Sequence, residues 1–287
     1  MPNFLMRIIL LYNLRGTFFV GLAFAWLGSG VTATGASWED RVSTAGPGNF
    51  PAMATPFRAT YRLGWSNLTA ARADVVIKQP NPESYDFRAE TATIGAARKL
   101  FTIDATLHST VSARQLRPLR LEQSDVRTDK TLREVVQFDA RGAERTRTEV
   151  SKSNRSAPRT ETRRFDSPLL QDFVSAYFYL RSQPLGNGDS QTVAVMSPSV
   201  PYLVTMTVRG REEISTGAGR FRAIRLSVDS IRRVKDDGTL MPHKRFRNGT
   251  VWISDDAQRQ ILRVQSQIFI GTVFVELESV TVVHPPG

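Results

Sequence analysis

From position 57 the chain alternates between apolar and polar residues. Phe57, Ala59, Tyr61, Leu63 and Trp65 occupy every second position, with Arg58, Thr60 and Arg62 between them, which is the period of a strand with one buried face. Ala71, Ala73, Val75 and Ile77 carry the alternation into a second strand. Pro80-Asn81-Pro82 supplies a connection, and Tyr85, Phe87 and Ala89 open a third strand antiparallel to the second. The rhythm recurs through 101–111, 119–126, 132–138 and 144–150, with a turn at 139–142. Many short strands joined by turns predict an antiparallel meander rather than βαβ units. The stretch 151–160 carries no large apolar residue and reads as a long mobile loop or hairpin tip.

One segment has a different period. Over 166–181 the residues Leu169, Leu170, Phe173, Ala176, Tyr177 and Leu180 fall on one helical face. Asp166 or Ser167 is placed to cap it, and Pro168 suits its first position. Arg181 suits its negative end, and Pro184 and Gly186 stop it. Strands then resume at 191–196, 202–211, 221–228, 250–254, 261–267 and 272–283, with turns at 216–219 and at Asp236-Asp237-Gly238. The prediction is a mainly β fold, residues 57–283, with one amphipathic helix packed on the sheet and a tail at 284–287.

The first residues belong to another class. Arg7 and Arg15 precede a short apolar run, 17–28, and small residues follow at signal-peptidase spacing, so 1–36 is expected to be a secretory signal cut after Ala33 or Ala36. The run is shorter than the ~20 residues a membrane span needs. Residues 37–56, rich in Gly, Ala, Pro, Ser and Thr, are expected to form a flexible leader. The net charge of +11 falls to +9 when Arg7 and Arg15 leave with the signal. A basic exported chain is biased toward anionic envelope partners, lipid head groups or acidic polymers, unless its arginines simply solvate exposed strand faces. Nucleic acid is not expected, because export removes the chain from it and no recognition motif is present.

Candidate chemistry is sparse. There is no cysteine, hence no disulfide, thiolate metal site or acylated cysteine. His108, His243 and His284 lie far apart without a ligand spacing, so no metal is expected, and no motif implies a cofactor. Asp255-Asp256, Asp236-Asp237 and the pair Asp125 and Asp129 offer carboxylates for acid–base hydrolysis, but turn chemistry explains the two dipeptides. No nucleophile elbow or phosphate-cradling loop occurs, so no catalytic residue is assigned.

The helix carries two charges, Asp172 and Arg181, about 13.5 Å apart along its axis at 1.5 Å per residue. They cannot pair with one another, and an unpaired buried charge is costly. Asp172 is expected to fix the helix to a strand arginine or a backbone N–H. Arg181 is a candidate for an anionic head group at the mouth of the fold. Tyr61, Trp65, Tyr177, Tyr179 and Trp252 are the aromatic candidates for lining an acyl or sugar site, and core packing is the alternative use of each.

The order of these features resembles a known family. The strand Phe57–Trp65, Leu116-Arg117-Pro118, Phe138-Asp139, the run Asp172–Arg181, Pro184-Leu185 with Gly188, the hairpin 210–221, Val251-Trp252-Ile253-Ser254-Asp255-Asp256 with Arg259, and the terminal 271–277 are similar to the bacterial exported family called domain of unknown function 3108. The resemblance covers about 57–280. It implies an exported envelope protein without assigned activity, and suggests a strongly curved antiparallel sheet or half-barrel with the helix against its open side. From this we expect a non-catalytic binding or carrier protein for an amphiphilic or anionic envelope ligand: lipid, lipoprotein or glycan. The alternatives are a periplasmic hydrolase or lyase on an acidic polysaccharide, and an envelope-assembly component contacting partners through the basic loop 152–164.

Overall fold

The computed structural model describes residues 37–43, 46–49, 56–152, 157–197, 200–243, 248–267 and 271–282. The expected signal at 1–36, its cleavage sites and the tail at 284–287, with His284, lie outside the described residues. The alternation seen in the sequence resolves into β1 (Phe57–Trp65), β2 (Leu68–Asn81), β3 (Ser84–Thr93), β4 (Ile103–Ser112), β5 (Pro118–Arg127), β6 (Lys130–Asp139), β7 (Gly142–Ser151) and β8 (Arg159–Phe165). After the two-residue β9 (Leu170–Gln171) come β10 (Ser190–Met196), β11 (Pro201–Thr216), β12 (Gly219–Val234) and β13 (Leu240–Pro242). The last are β14 (Asn248–Ser254), β15 (Ile261–Gln267) and β16 (Thr272–Val282). The helices are α1 (Gly95–Leu100) and α2 (Phe173–Ser182).

All the strands join one sheet, in the order β8-β7-β6-β5-β4-β3-β2-β1-β16-β15-β14-β12-β11-β10-β9, with β13 on β12. Every pairing is antiparallel except β9 on β10. The last strand closes on the first, Tyr61 opposite Leu277, so the meander is continuous from β8 through β1 and β16 to β9. Strong curvature brings its two ends together. Leu121, Val136, Ala143 and Phe165 from β5–β8 pack in one cluster with Leu170, Ala194, Met196 and Leu203 from β9–β11. Arg163 of the edge strand β8 pairs with Asp236, at the turn after β12.

Helix α2 lies against the inner face of this curl. Val174 and Phe178 pack among Phe57, Ile77, Tyr85, Val111 and Leu277, Leu180 among Val208, Ile224 and Ile253, and Ala176 and Tyr179 against Val193. Residues from three sides therefore enclose a ten-residue helix, and the buried apolar area holds it where its own length would not.

The helix starts later than its hydrophobic period suggests, at Phe173 rather than beside Pro168. Leu170 and Gln171 pair in parallel with Ala194 and Val195 at the free edge of β10, which takes their backbone out of the helix. Asp172 then becomes the cap. Helix α1, six residues between β3 and β4, had no signal in the pattern. The loop read at 151–160 is shorter, because Arg159–Phe165 adds to β7 as the edge strand, so the second half of the basic segment 152–164 is sheet. The segment read as a leader docks at its described residues. Trp38 and Val42 join the core at the sheet ends, Ser43 N–H donates to the Thr192 carbonyl at 2.8 Å, and Gly48 N–H reaches the Ser182 hydroxyl. Two apolar residues among many small ones supply that anchorage without periodicity.

Candidate functional site

Three of the seven residues singled out from the sequence, Tyr61, Tyr177 and Arg181, meet at one seam, between α2 and the 255–260 loop that follows β14, while Asp172 and Tyr179 anchor α2 to β4 and β10. Asp172 is fully buried and accepts the Ser175 N–H at 2.7 Å and the Ser109 hydroxyl of β4 at 2.5 Å. A serine and a backbone N–H, not a strand arginine, hold it. Burial pushes its pKa up, against those hydrogen bonds.

Arg181 is also fully buried, and its guanidinium donates to the carbonyls of Gln258 at 2.7 Å and Ala257 at 3.0 Å. It is enclosed rather than placed at an open mouth. Arg259 returns the contact, its guanidinium reaching the carbonyls of Arg181 at 2.6 Å, of Gln183, and of Pro184 at 3.3 Å. A cation on the free carbonyls of a helix C-terminus is favourable. Each arginine thus caps the segment that carries the other. Asp256 shapes the loop by accepting the Ser254 hydroxyl and the N–H groups of Gln258 and Arg259.

Two tyrosines complete the seam, Tyr177 donating to the Arg259 carbonyl at 2.9 Å and Tyr61 to that of Ile261 at 3.0 Å. Burial raises the pKa of both, Tyr177 to about 12. Tyr179 donates to the Gln191 side chain. A cavity lined by Phe57, Ile77, Tyr177, Gln258 and Gln260 holds about 10 Å³, which is at most about one water.

The remaining two candidates lie elsewhere. Trp65 is at the far end of β1 beside Gly271, where an added Cβ would come within 2.9 Å of its indole nitrogen. Trp252 is on the opposite face of the sheet, in the cross-strand row Trp252, Arg263, Glu276, Arg62. Its indole N–H donates to Glu212 at 2.6 Å, while Glu276 is shared by Arg62 and Arg263.

The carboxylate pairs have separate uses. Asp236 meets Arg163, Asp237 caps its own turn at Thr239, and Asp255 faces Arg211 and Arg222. His108 pairs with Asp86, and the His243 ring lies 5.8 Å from that of Tyr202. No group of three or more His, Asp or Glu positioned for a metal occurs among the described residues.

Register reveals a surface that the sequence reading missed. Ser109, which holds Asp172, fixes the helix-bearing face of β4, and the unbroken register across neighbouring strands carries that face outward. One row beyond the helix contact runs Val75, Ala89, Leu107, Gln123, Glu134, Arg147 and Glu161, from β2 to β8. It is apolar on β2–β4 and charged from β6. Leu63, Ala71, Ala89, Thr91, Ala105 and Leu107 on β1–β4, continued by Val275 and Val264, are half-buried on this inner face, Leu63, Ala89, Leu107 and Val275 packing on the core cluster. They form an apolar trough beside the helix, roughly 24 Å across the five strand spacings of ~4.8 Å from β4 to β15.

On the charged side, Asp125 binds Arg127, Lys130 lies 3.1 Å from Glu149, and Arg145 lies 2.8 Å from Glu161. Glu134 is 12% exposed and its nearest cation is Arg147, at 3.9 Å. Burial outweighs Arg147 and Arg145 and lifts its pKa to about 7. Alternation in 130–149 assigns these charges to one face, but which face turns inward follows from pairing through β4 to the helix.

One curled antiparallel sheet wrapped about a buried helix defines the class as β-barrel-like. The chain belongs to the family described as protein of unknown function DUF3108, whose model matches residues 57–278. Among solved structures it is similar to a β-barrel-like protein of domain of unknown function DUF1849 from Brucella abortus, at 11% identity and TM-score 0.51, covering 82% of this chain and 100% of that one. Two further structures cover 82% of this chain and 99% of their own. One is a Bacteroides fragilis protein described as exported with a YmcC-like fold, at 10% identity and TM-score 0.35. The other is a Parabacteroides distasonis protein described as a lipoprotein, at 7% identity and TM-score 0.33. No curated protein matches. Among the described residues, no helix is long and apolar enough to cross a membrane.

Proposed function

We propose that this is a non-catalytic binding or carrier protein of the cell envelope, exported by its N-terminal segment, that holds an amphiphile on the inner face of its sheet. The observation that carries the reading is the half-buried apolar trough of Leu63, Ala71, Ala89, Ala105, Leu107, Val264 and Val275. A concave, apolar and incompletely covered surface bordered by polar groups is the usual form of a small-molecule site. The 10 Å³ cavity at the helix seam is too small for that purpose, so the buried tyrosines, Asp172 and Arg181 frame the site and the ligand lies beside them. Trp65, at the far end of the same strand as Leu63, is placed to border the trough.

Native mass spectrometry and solvent extraction of freshly purified protein test the reading. A co-purifying lipid or lipopeptide, reduced in a Leu107→Glu variant of unchanged melting temperature, is expected. Protein that carries nothing and takes up no alkyl-chain probe would overturn it.

A further inference from the structure

The trough does not end in solvent on the β5 side; it runs into paired charges. Within that set the cations are held unequally. Arg127 makes two bonds to Asp125, Lys130 has Glu149, and Arg145 has Glu161. Arg147 has only long contacts among the described residues, 3.4 Å to Glu149, already shared with Lys130, and 3.9 Å to Glu134. The Glu134 side chain makes no hydrogen bond among them, its backbone lying in the ladders to β5 and β7. Both stand in the same cross-strand row as Ala89 and Leu107, separated from Leu107 only by Gln123.

We infer that Arg147, with Glu134 beside it, is the polar-group subsite of the trough and takes the anionic head, phosphate or carboxylate, of an amphiphile whose chain lies along Leu107, Ala89 and Leu63. This rests on the trough being the binding surface. Arg147 has donors to spare, and a planar guanidinium suits a phosphate or carboxylate. Glu134 then sets the conditions. The charges facing it are Arg145 and Arg147 on β7, Asp125 on β5 and Glu161 on β8, and burial leaves its pKa near 7. Below that pH the neutral carboxyl can donate to the head group, and Arg147 is left without that competitor. Above it, the carboxylate repels an anion. Anion binding therefore takes up a proton and weakens as the pH rises through 7.

Calorimetric titration of the purified chain with dodecyl phosphate, dodecanol, dodecyltrimethylammonium and inorganic phosphate, at pH 6 and pH 8, tests this. At pH 6 dodecyl phosphate should bind about tenfold or more tighter than dodecanol, as a charge-assisted hydrogen bond allows, and the advantage should shrink at pH 8. Arg147→Gln should abolish the advantage while leaving dodecanol binding unchanged. Glu134→Gln should hold the pH 6 affinity at pH 8, and it decides the matter if the arginine variant does not fold.

Dodecanol binding as tightly as the phosphate, or the ammonium binding better, overturns the head-group assignment and leaves the trough standing. Inorganic phosphate binding as tightly as dodecyl phosphate also overturns it, in favour of a free-anion site. Failure of both dodecyl phosphate and dodecanol to bind overturns the trough and the subsite together.

Discussion

Replacing Asp172 by alanine tests how the helix is fixed. The carboxylate holds one end of α2 to its own backbone and to β4 at once, through Ser175 N–H and the Ser109 hydroxyl, and all three residues are fully buried. Alanine deletes the N-cap bond to Ser175 N–H, about 1 kcal/mol, and strands the buried Ser109 hydroxyl at about 1–3 kcal/mol. Part is returned, because the carboxyl is itself held in a desolvated place that pushes its pKa up. The expected net loss is about 1–3 kcal/mol, or about 3–9 °C in melting temperature for a domain of this size.

Asparagine keeps the cap acceptor and should cost about 1 kcal/mol or less. Because the folded-state pKa is raised, Asp172 favours folding most at low pH and loses that advantage as the pH climbs above the ordinary carboxylate range. The asparagine variant should therefore gain on wild type as the pH rises. Urea unfolding followed by circular dichroism measures each variant, with Ser109→Ala and the double mutant completing a cycle. A coupling of about 1–2 kcal/mol is expected between Ser109 and Asp172. An alanine variant within about 0.5 kcal/mol of wild type, or strictly additive losses, would refute the account of the seam.

Two further outcomes follow from the same geometry. Arg259→Lys should lower stability by about 1–3 kcal/mol in thermal melts, because an ammonium cannot span the three carbonyls of Arg181, Gln183 and Pro184; an unchanged melt would show those contacts to be idle. Glu134, raised to about 7 in the folded state, contributes stability that is full below about pH 4.5 and lost as the pH rises through 7. Glu134→Gln should therefore match wild type near pH 4 and exceed it at pH 8 by up to about 3 kcal/mol, and a variant that loses stability at pH 8 would contradict the burial argument.

The residues that make the family recognisable are explained by the seam. Asp172, Arg181, Asp256 and Arg259 sit in two segments far apart in sequence; the two carboxylates cap or shape the backbone of their own segment, and each arginine binds carbonyls of the other segment. Their use is to hold a short helix against a curled sheet, where the backbone groups at its ends would otherwise be buried without partners. The same reasoning separates the two arginines: Arg181 is fully enclosed on carbonyls and positions structure, whereas Arg147 keeps 23% of its side chain exposed.

Alternation determined the strands, because a side-chain period of two is local and each of the rows through Tyr61, Val75, Phe87 and Leu107 had to bury one face. Capping chemistry and period together announced a helix near 166–181. Its true start needed the tertiary structure, since Asp166, Ser167 and Asp172 are all competent caps, and the free edge of β10 decided among them by taking Leu170 and Gln171. Curvature, too, is absent from any one strand. It arises when β5–β8 and β9–β11 bury Leu121, Phe165, Met196 and Leu203 against one another. The charged row from Gln123 to Glu161 was legible as alternating residues, but alternation is blind to which face turns inward, and only pairing carried through β4 to the helix placed Glu134 and Arg147 at the end of an apolar trough.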